Sequence, residues 1–365
     1  MIYLDNGATS FYKPPAIRAA VLSAMERCAN PGRGGYSAAM AAAETVYRCR
    51  ETAGKLFDCQ PEQVCFTSNC THGLNIAIGS LVKQGGRVVI SGFEHNAVTR
   101  PLHALGAEVI VAGQKLFDQV DTLQQWEEAL RRGADAAVCT HVSNVFGYIL
   151  PVEAIAALCH RYGVPLVIDA AQSAGVLPVQ LRAWGADFIA MPGHKGLLGP
   201  QGTGMLLCGR EPNPLLFGGT GSNSMDQAMP DFLPDRLEAG TLNVPGIAGL
   251  DAGMCYVNQK GIQQILQREH AQLQVCAYGL EKMGYSVFTG PHQAATVSFL
   301  SKGDCQELAD RLGQKGIAVR AGLHCAPLAH TSAGTLETGT VRVSFGHDAT
   351  SEKTWKFLRI MSLLS

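Results

Sequence analysis

No apolar run in this 365-residue sequence approaches the roughly 18 residues that a membrane-spanning helix requires. The first residues, MIYLDNGATS, also lack the basic start and the apolar stretch of a secretory signal. These two absences predict a cytoplasmic protein with no membrane partner.

Charge of one sign is lacking as well, because 29 lysine and arginine residues stand against 30 aspartate and glutamate residues, for a formal net charge of -1. No basic run is interleaved with aromatic residues. The sequence therefore predicts no nucleic-acid partner and no partner selected by overall charge.

The 12 cysteines include no pair with CxxC spacing. Without an export signal, they are a poor basis for a disulfide framework, and most are expected to be reduced thiols in the core. A functional cysteine must therefore be argued from its surroundings.

What the sequence does have is a regular alternation of short apolar runs with longer helix-like stretches, which predicts βαβ units. The expected fold is α/β, with a mostly parallel central sheet, helices on both faces and a smaller α+β domain. We place the large domain at 14–245 and the small one at 246–365, together with 1–13. The runs are VCFT at 64, RVVI at 87, EVIVA at 108, AAVCT at 136, PLVID at 165, DFIAM at 187 and GMLLC at 204.

Ligands of such sheets bind beyond the carboxyl ends of the strands, where three segments of this chain fall. Lys195 lies in MPGHKGLLGPQG, a glycine- and proline-rich turn too constrained for an ordinary surface lysine. Asp169 closes VPLVID, either as a helix cap or as the carboxylate that pyridoxal phosphate needs on its ring nitrogen. FTSNCTHGLN begins a helix that is either plainly capped or a phosphate site.

Nine motifs occur in the order seen in class V aminotransferase-fold enzymes, which use pyridoxal phosphate. The sequence most resembles their cysteine desulfurase and selenocysteine lyase branch, of the type with a compact cysteine loop. The resemblance spans nearly the whole chain and implies a PLP fold type I. The motifs are YLDNGATS, FTSNCTHGLN, SGFEHNAV, SNVFG, IDAAQSAG, PGHKGLLGPQG, EAGTLN, RAGLHCAP and VRVSFG.

The resemblance implies a role for each residue around the cofactor ring. Lys195 would carry pyridoxal phosphate as a Schiff base, and Asp169 would pair with the pyridinium nitrogen. His95 would stack on the ring, while Asn144 and Gln172 would contact its phenolic oxygen.

For the phosphate, the resemblance implies contacts from Cys70, Thr71 and His194, and from Thr241 of a neighbouring subunit, so a homodimer is expected. Two positions depart from the family pattern. Cys70 is a poorer donor than the usual threonine, and Pro192 donates nothing where many relatives have serine. Backbone amides and Thr71 are therefore expected to contribute more.

Cys325, in RAGLHCAP, matches the cysteine that takes sulfur from the substrate in desulfurases, the alternative being an inert loop thiol. The segment that follows it, ending in SAGT, is expected to be exposed. Arg320, His324 and His330 are candidate cations that would favour a thiolate, although surface histidines are the alternative for the latter two. A metal site at His324, Cys325 and His330 fits no standard zinc spacing, and none is predicted.

Arg342, in VRVSF, matches the arginine that clamps the substrate carboxylate, a task that suits its planar fork. Arg320 and Asn144 are further candidates for substrate contact. A solvent-facing strand arginine is the alternative for Arg342.

The implied reaction converts L-cysteine to L-alanine and leaves a persulfide on Cys325. Lys195 would remove the Cα proton, and His95 would exchange a proton near sulfur. A sulfur-acceptor protein or a reductant would then clear the persulfide.

Three other functions stay open. A selenocysteine lyase, acting on L-selenocysteine, need not use the Cys325 thiol. A transaminase of the serine-glyoxylate type has the same Lys195 and Asp169 but needs no loop cysteine. A non-catalytic sulfur-handing partner or scaffold usually loses the cofactor residues that are present here.

Overall fold

The computed structural model describes residues 1–32 and 34–364. Its helices are α1 (Pro15–Arg27), α2 (Ser37–Phe57), α3 (Cys70–Leu81), α4 (Asn96–Ala104), α5 (Gln119–Arg131), α6 (Val152–Tyr162), α7 (Leu181–Trp184), α8 (Val244–Lys260), α9 (Ile262–Lys282), α10 (Cys305–Gln314), α11 (Pro327–Ala333) and α12 (Ser351–Leu364).

Its strands are β1 (Ile2–Tyr3), β2 (Val64–Thr67), β3 (Arg87–Ser91), β4 (Glu108–Ala112), β5 (Ala136–Thr140), β6 (Leu166–Asp169), β7 (Phe188–Pro192), β8 (Gly204–Cys208), β9 (Val287–Phe288), β10 (Thr296–Phe299), β11 (Ile317–Ala318), β12 (Arg320–Gly322) and β13 (Thr340–Ser344). All seven apolar runs that predicted strands in the large sheet form strands β2 to β8.

The central sheet has seven strands in the order β2-β8-β7-β6-β5-β3-β4. The five strands from β7 to β4 are mutually parallel, whereas β8 runs antiparallel to both β7 and β2. The prediction of a mostly parallel sheet is confirmed.

The middle strands β5, β6 and β7 are apolar up to their last residue because helices cover both of their faces. Along β5, Ala137 and Cys139 enter one core cluster, while Ala136 and Val138 enter the cluster on the opposite face. This alternation leaves no room for polar side chains within the sheet. Polar groups therefore collect where the strands end.

A second sheet is antiparallel, in the order β12-β13-β10-β9, and has its own core cluster with α9, α10 and α12. β1 pairs with β11, which brings Ile2 and Leu4 into that same cluster. The assignment of domain boundaries stays a prediction. Helix α8 begins at Val244 and places Val244, Ile247, Leu250 and Met254 in the core of the large sheet.

Among the described residues, no helix combines the length and apolar character needed to cross a bilayer. The longest helices, α2 and α9, carry charged residues along their length.

The two sheets meet around a cavity of about 640 Å³, lined by Lys195 on one side and Glu269 of α9 on the other. Glu269 is only 4% exposed. Burial raises its pKa to about 8, and the nearby Asp348 charge adds to the effect.

Glu269 is expected to make stability depend on pH. Because its folded pKa of about 8 exceeds the ordinary glutamate value of 4.5, its contribution to stability is full below about pH 4.5 and is lost as the pH rises through 8. Over that window the free energy of unfolding should fall by up to about 1.4 kcal/mol per pH unit more in the wild type than in Glu269→Gln. Urea titrations at several pH values measure this, and equal pH slopes in both proteins would contradict it.

Candidate active site

A cavity of about 520 Å³ lies at the carboxyl ends of the parallel strands. Eight of the nine residues expected to bind the cofactor line it. They are Cys70, Thr71, His95, Asn144, Asp169, Gln172, His194 and Lys195. We call it the cofactor cavity.

Lys195 follows β7 in a tight turn, where the Leu198 N–H donates to its carbonyl at 2.9 Å. The neighbouring Gly196 has no space for a side chain, because a Cβ there would clash with the carbonyl oxygen of Ala174. Burial lowers the pKa of the Lys195 ammonium, while the Asp169 carboxylate opposes the shift. The turn thus holds an easily deprotonated amine between the two cavities that Lys195 lines.

Asp169 ends β6 and is buried. Its Oδ1 accepts from the Ala171 N–H at 2.8 Å and from the Cys70 thiol at 3.4 Å. No described residue donates to Oδ2, so one carboxylate oxygen stays available to a group in the cavity.

His95 is the N-cap of α4, and its Nδ1 accepts from the Ala97 N–H at 3.0 Å. An accepting Nδ1 puts the ring proton on Nε2 in the neutral tautomer. Burial lowers the pKa of His95, which favours that neutral form. His95 therefore brings a neutral ring and one N–H donor to the cavity wall.

The start of α3 supplies backbone donors to the same cavity. Asn69 caps the helix by accepting from the His72 N–H at 2.9 Å, which leaves the first N–H groups, those of Cys70 and Thr71, without intrahelical partners. The Cys70 thiol is engaged by Asp169, so only its backbone is free to bind an anion. Such a helix start favours a phosphate.

His194 and Gln172 are fixed by the N-terminal segment. His194 Nδ1 lies 3.0 Å from Thr9 Oγ1, and burial lowers the pKa of His194 to about 4, so its ring is neutral. The Gln172 amide donates to the Gly7 carbonyl at 3.0 Å.

The Cys325 loop, residues 323–326, is hydrogen-bonded to Asn144, which lines the cofactor cavity, and to Asn96, which follows the cavity residue His95. The Asn96 N–H donates to the Cys325 carbonyl at 2.8 Å, and the Asn144 side-chain amide donates to the His324 carbonyl at 2.8 Å. Cys325 is exposed, and both it and His324 have left-handed backbone angles, with φ of 57° and 50°. Two consecutive non-glycine residues in this region make the loop strained.

The expectation that His324 and His330 are surface residues or cations is wrong. They are 6% and 0% exposed, and their rings are paired with Thr340 and Thr335. Burial lowers the pKa of His324 to about 2 and that of His330 to about 4, so neither ring carries a positive charge near neutral pH.

The expectation of an exposed segment after Cys325 is met only in part, because residues 327–333 form α11, in which Thr331 is exposed and the other residues are half-buried or buried. Its inner side buries Ala329 and His330, and the His330 ring lies 5.8 Å from the ring of Phe146.

Arg342, on β13, is 2% exposed and lies behind the cavity wall instead of lining it. Its Nη2 donates to Asp5 Oδ1 at 2.6 Å and its Nη1 to the Asn144 carbonyl at 2.9 Å. Its positive charge lowers the pKa of Lys195 and of His95. The solvent-facing alternative for Arg342 is therefore wrong.

Two predicted residues are not brought to the cofactor cavity. Arg320 is exposed on β12, where it is the register partner of Arg342. Thr241 is exposed and lines two separate cavities together with Gly240.

Sequence reasoning assigned no role to Asp5 or Asn96. Asp5 accepts a hydrogen bond from Arg342, and the Asn96 N–H donates to the Cys325 loop. Asp5 lies inside the motif YLDNGATS, so a signal was present in the sequence. Asn96 acts through its backbone N–H, which no side-chain pattern reveals.

Replacing Cys325 with glycine is expected to stabilise the fold by about 1 kcal/mol, because glycine adopts the left-handed conformation without steric cost. Cys325→Ala is the matched control, since alanine removes the thiol but keeps the Cβ. Urea unfolding measures both. Equal stability of the glycine and alanine variants would show that the loop stores no such strain.

The sequence model of the family described as Aminotransferase class-V matches residues 2–357. A protein of Methanothermobacter thermautotrophicus named "Probable cysteine desulfurase" is 33% identical, over 96% of this chain and 92% of that protein. One of the same name from Pyrococcus abyssi is 31% identical, over 100% of this chain and 94% of that protein.

Among solved structures, the apo structure of a cysteine desulfurase from Thermococcus onnurineus NA1 matches with a TM-score of 0.92. The two chains are 31% identical, and the match covers 100% of this chain and 94% of the other. The predicted fold class is thereby confirmed.

Proposed function

Because this chain belongs to the class-V aminotransferase family, whose members depend on pyridoxal phosphate, we propose that it is a cysteine desulfurase that takes sulfur from L-cysteine onto Cys325. The observation that carries the proposal is the position of the exposed Cys325 thiol. Its loop is hydrogen-bonded to Asn144, which lines the same cavity as Lys195.

The donor set of the cofactor cavity fits pyridoxal phosphate group by group. The Lys195 amine suits the aldehyde, and the free Oδ2 of Asp169 suits a pyridinium nitrogen. The α3 start suits the phosphate, and the His95 ring forms part of the wall. Bound there, the cofactor would supply an electron sink for the electrons of the substrate Cα–H bond.

Lys195 is suited to move the substrate Cα proton, since burial lowers the pKa of its amine and favours the neutral, basic form. The Asp169 charge keeps that shift from becoming larger.

Cys325 is suited to accept sulfur. Its Sγ would form a bond to the substrate Sγ while the substrate Cβ–Sγ bond breaks, with that electron pair remaining on carbon. Carbon then takes up a proton and gives L-alanine, and the enzyme keeps a persulfide, so the step needs no external oxidant. His95, with its Nε2–H, is placed to exchange a proton near the departing sulfur.

The proposal includes a homodimer, in which Thr241 reaches the phosphate of the neighbouring subunit. Its exposure, outside its own cofactor cavity, supports that role. It also includes an acceptor, either a protein or a thiol reductant, that removes sulfur from the exposed Cys325.

Cys325→Ser is expected to lower the steady-state rate of L-alanine formation from L-cysteine by at least about 100-fold, because serine forms no persulfide. The matched control is Cys255→Ser, which removes the other exposed thiol and should leave the rate unchanged. Quantifying L-alanine in the presence of a thiol reductant measures both.

Formation of L-alanine by Cys325→Ser at the wild-type rate would contradict the proposal. If the same variant instead releases selenium from L-selenocysteine at the wild-type rate and the wild type barely acts on L-cysteine, a selenocysteine lyase is the correct assignment.

A further inference from the structure

Asn144 contacts two functional parts of the site at once. Its backbone carbonyl accepts from Arg342 Nη1 at 2.9 Å, and its side-chain amide donates to the His324 carbonyl at 2.8 Å. His324 immediately precedes Cys325. One residue therefore joins the arginine that would hold the substrate carboxylate to the loop that carries the nucleophile.

Arg342 uses two of its five N–H groups in this arrangement. Nη2 donates to Asp5 and Nη1 to Asn144, while Nε is buried without a partner among the described residues. A carboxylate that binds an arginine uses two parallel N–H groups. Because Arg342 is 2% exposed and does not line the cofactor cavity, it can bind a carboxylate there only if it moves toward the cavity, and this movement draws it away from at least one present acceptor.

Of its two acceptors, Asn144 is the one that yields more readily. Asp5 is a carboxylate at 2.6 Å, whereas the Asn144 carbonyl is neutral and lies at 2.9 Å. Both bonds are charge-assisted because the donor is a cation, but only the bond to Asp5 joins two opposite charges. Asn144 also borders the cofactor cavity, from which a substrate carboxylate would arrive.

We propose that Asn144 is a positioning residue that couples carboxylate binding at Arg342 to release of the Cys325 loop. When Arg342 turns toward a carboxylate, the Asn144 carbonyl loses its donor, and Asn144 shifts and weakens its hold on His324. The strain at His324 and Cys325 then favours movement of the thiol. This inference rests on the proposed function, since it makes the thiol mobile only when substrate is present.

The test measures how fast iodoacetamide alkylates Cys325 in the purified holoenzyme, by mass spectrometry of the Cys325 peptide, with and without sodium propionate. Propionate has the carboxylate of a substrate but no amine and no sulfur. We expect it to raise the alkylation rate about threefold to tenfold, the effect of losing one hydrogen bond, while neutral propionamide does not. Cys255, exposed on α8, is the internal reference whose rate stays constant.

Asn144→Ala should abolish the propionate effect, because it keeps the backbone carbonyl at Arg342 but removes the amide that holds His324. Thr340→Val is the matched control. It loosens the same loop by removing the hydroxyl 3.2 Å from His324 Nε2, and it should keep the propionate effect. Arg342→Lys, which keeps a charge but loses the fork, should lose the effect.

An undiminished propionate effect in Asn144→Ala or in Arg342→Lys would overturn the coupling, as would a wild type that does not respond. A purely structural role for Asn144 predicts that Asn144→Ala and Thr340→Val both raise the basal rate and respond to propionate alike. L-alanine formation from L-cysteine, measured separately, distinguishes failure of this inference from failure of the proposed function.

Discussion

The burial of the middle strands on both faces is the constraint on which the site depends. Strands such as β5 and β6 carry only apolar side chains until their last residue, so a charged group is tolerated only where a strand ends. Asp169 is the last residue of β6, and Lys195 lies in the turn after β7, the neighbouring parallel strand. The sheet thus brings an amine and a carboxylate together in a poorly solvated place, where the carboxylate acts strongly on the ionisation of the amine.

The N-terminal segment is the second structural requirement, because it joins the two sheets at the site. Asp5 forms a parallel β-bridge with Ser344, the last residue of β13. This pairing brings the Asp5 carboxylate within hydrogen-bonding distance of Arg342. Gly7 approaches the same guanidinium so closely that a Cβ there would lie 3.2 Å from Arg342 Cζ. The first ten residues therefore determine how open the arginine is, although none of them belongs to the central sheet.

The strands of the central sheet and the residues at their ends were predictable from sequence, because both depend on short stretches of neighbouring residues. Apolar runs such as VCFT and GMLLC predict buried strands because few other elements tolerate them, and a lysine or aspartate directly after such a run must lie at a strand end. The part that was wrong concerns His324 and His330. Their burial depends on Thr340, Thr335 and Phe146, which are brought to them only by tertiary packing. Contacts such as Asp5 with Arg342 join residues at opposite ends of the chain, and spacing alone gives no register for them.

The central claim is that sulfur passes to Cys325, and a single exposure of the holoenzyme to one equivalent of L-cysteine, without reductant, tests it most directly. Peptide mass spectrometry should then find the Cys325 peptide heavier by one sulfur atom, with the other cysteine peptides unchanged and L-alanine formed in equal amount. L-alanine formed while the Cys325 peptide keeps its original mass, or sulfur found on another cysteine such as Cys255, would contradict the account.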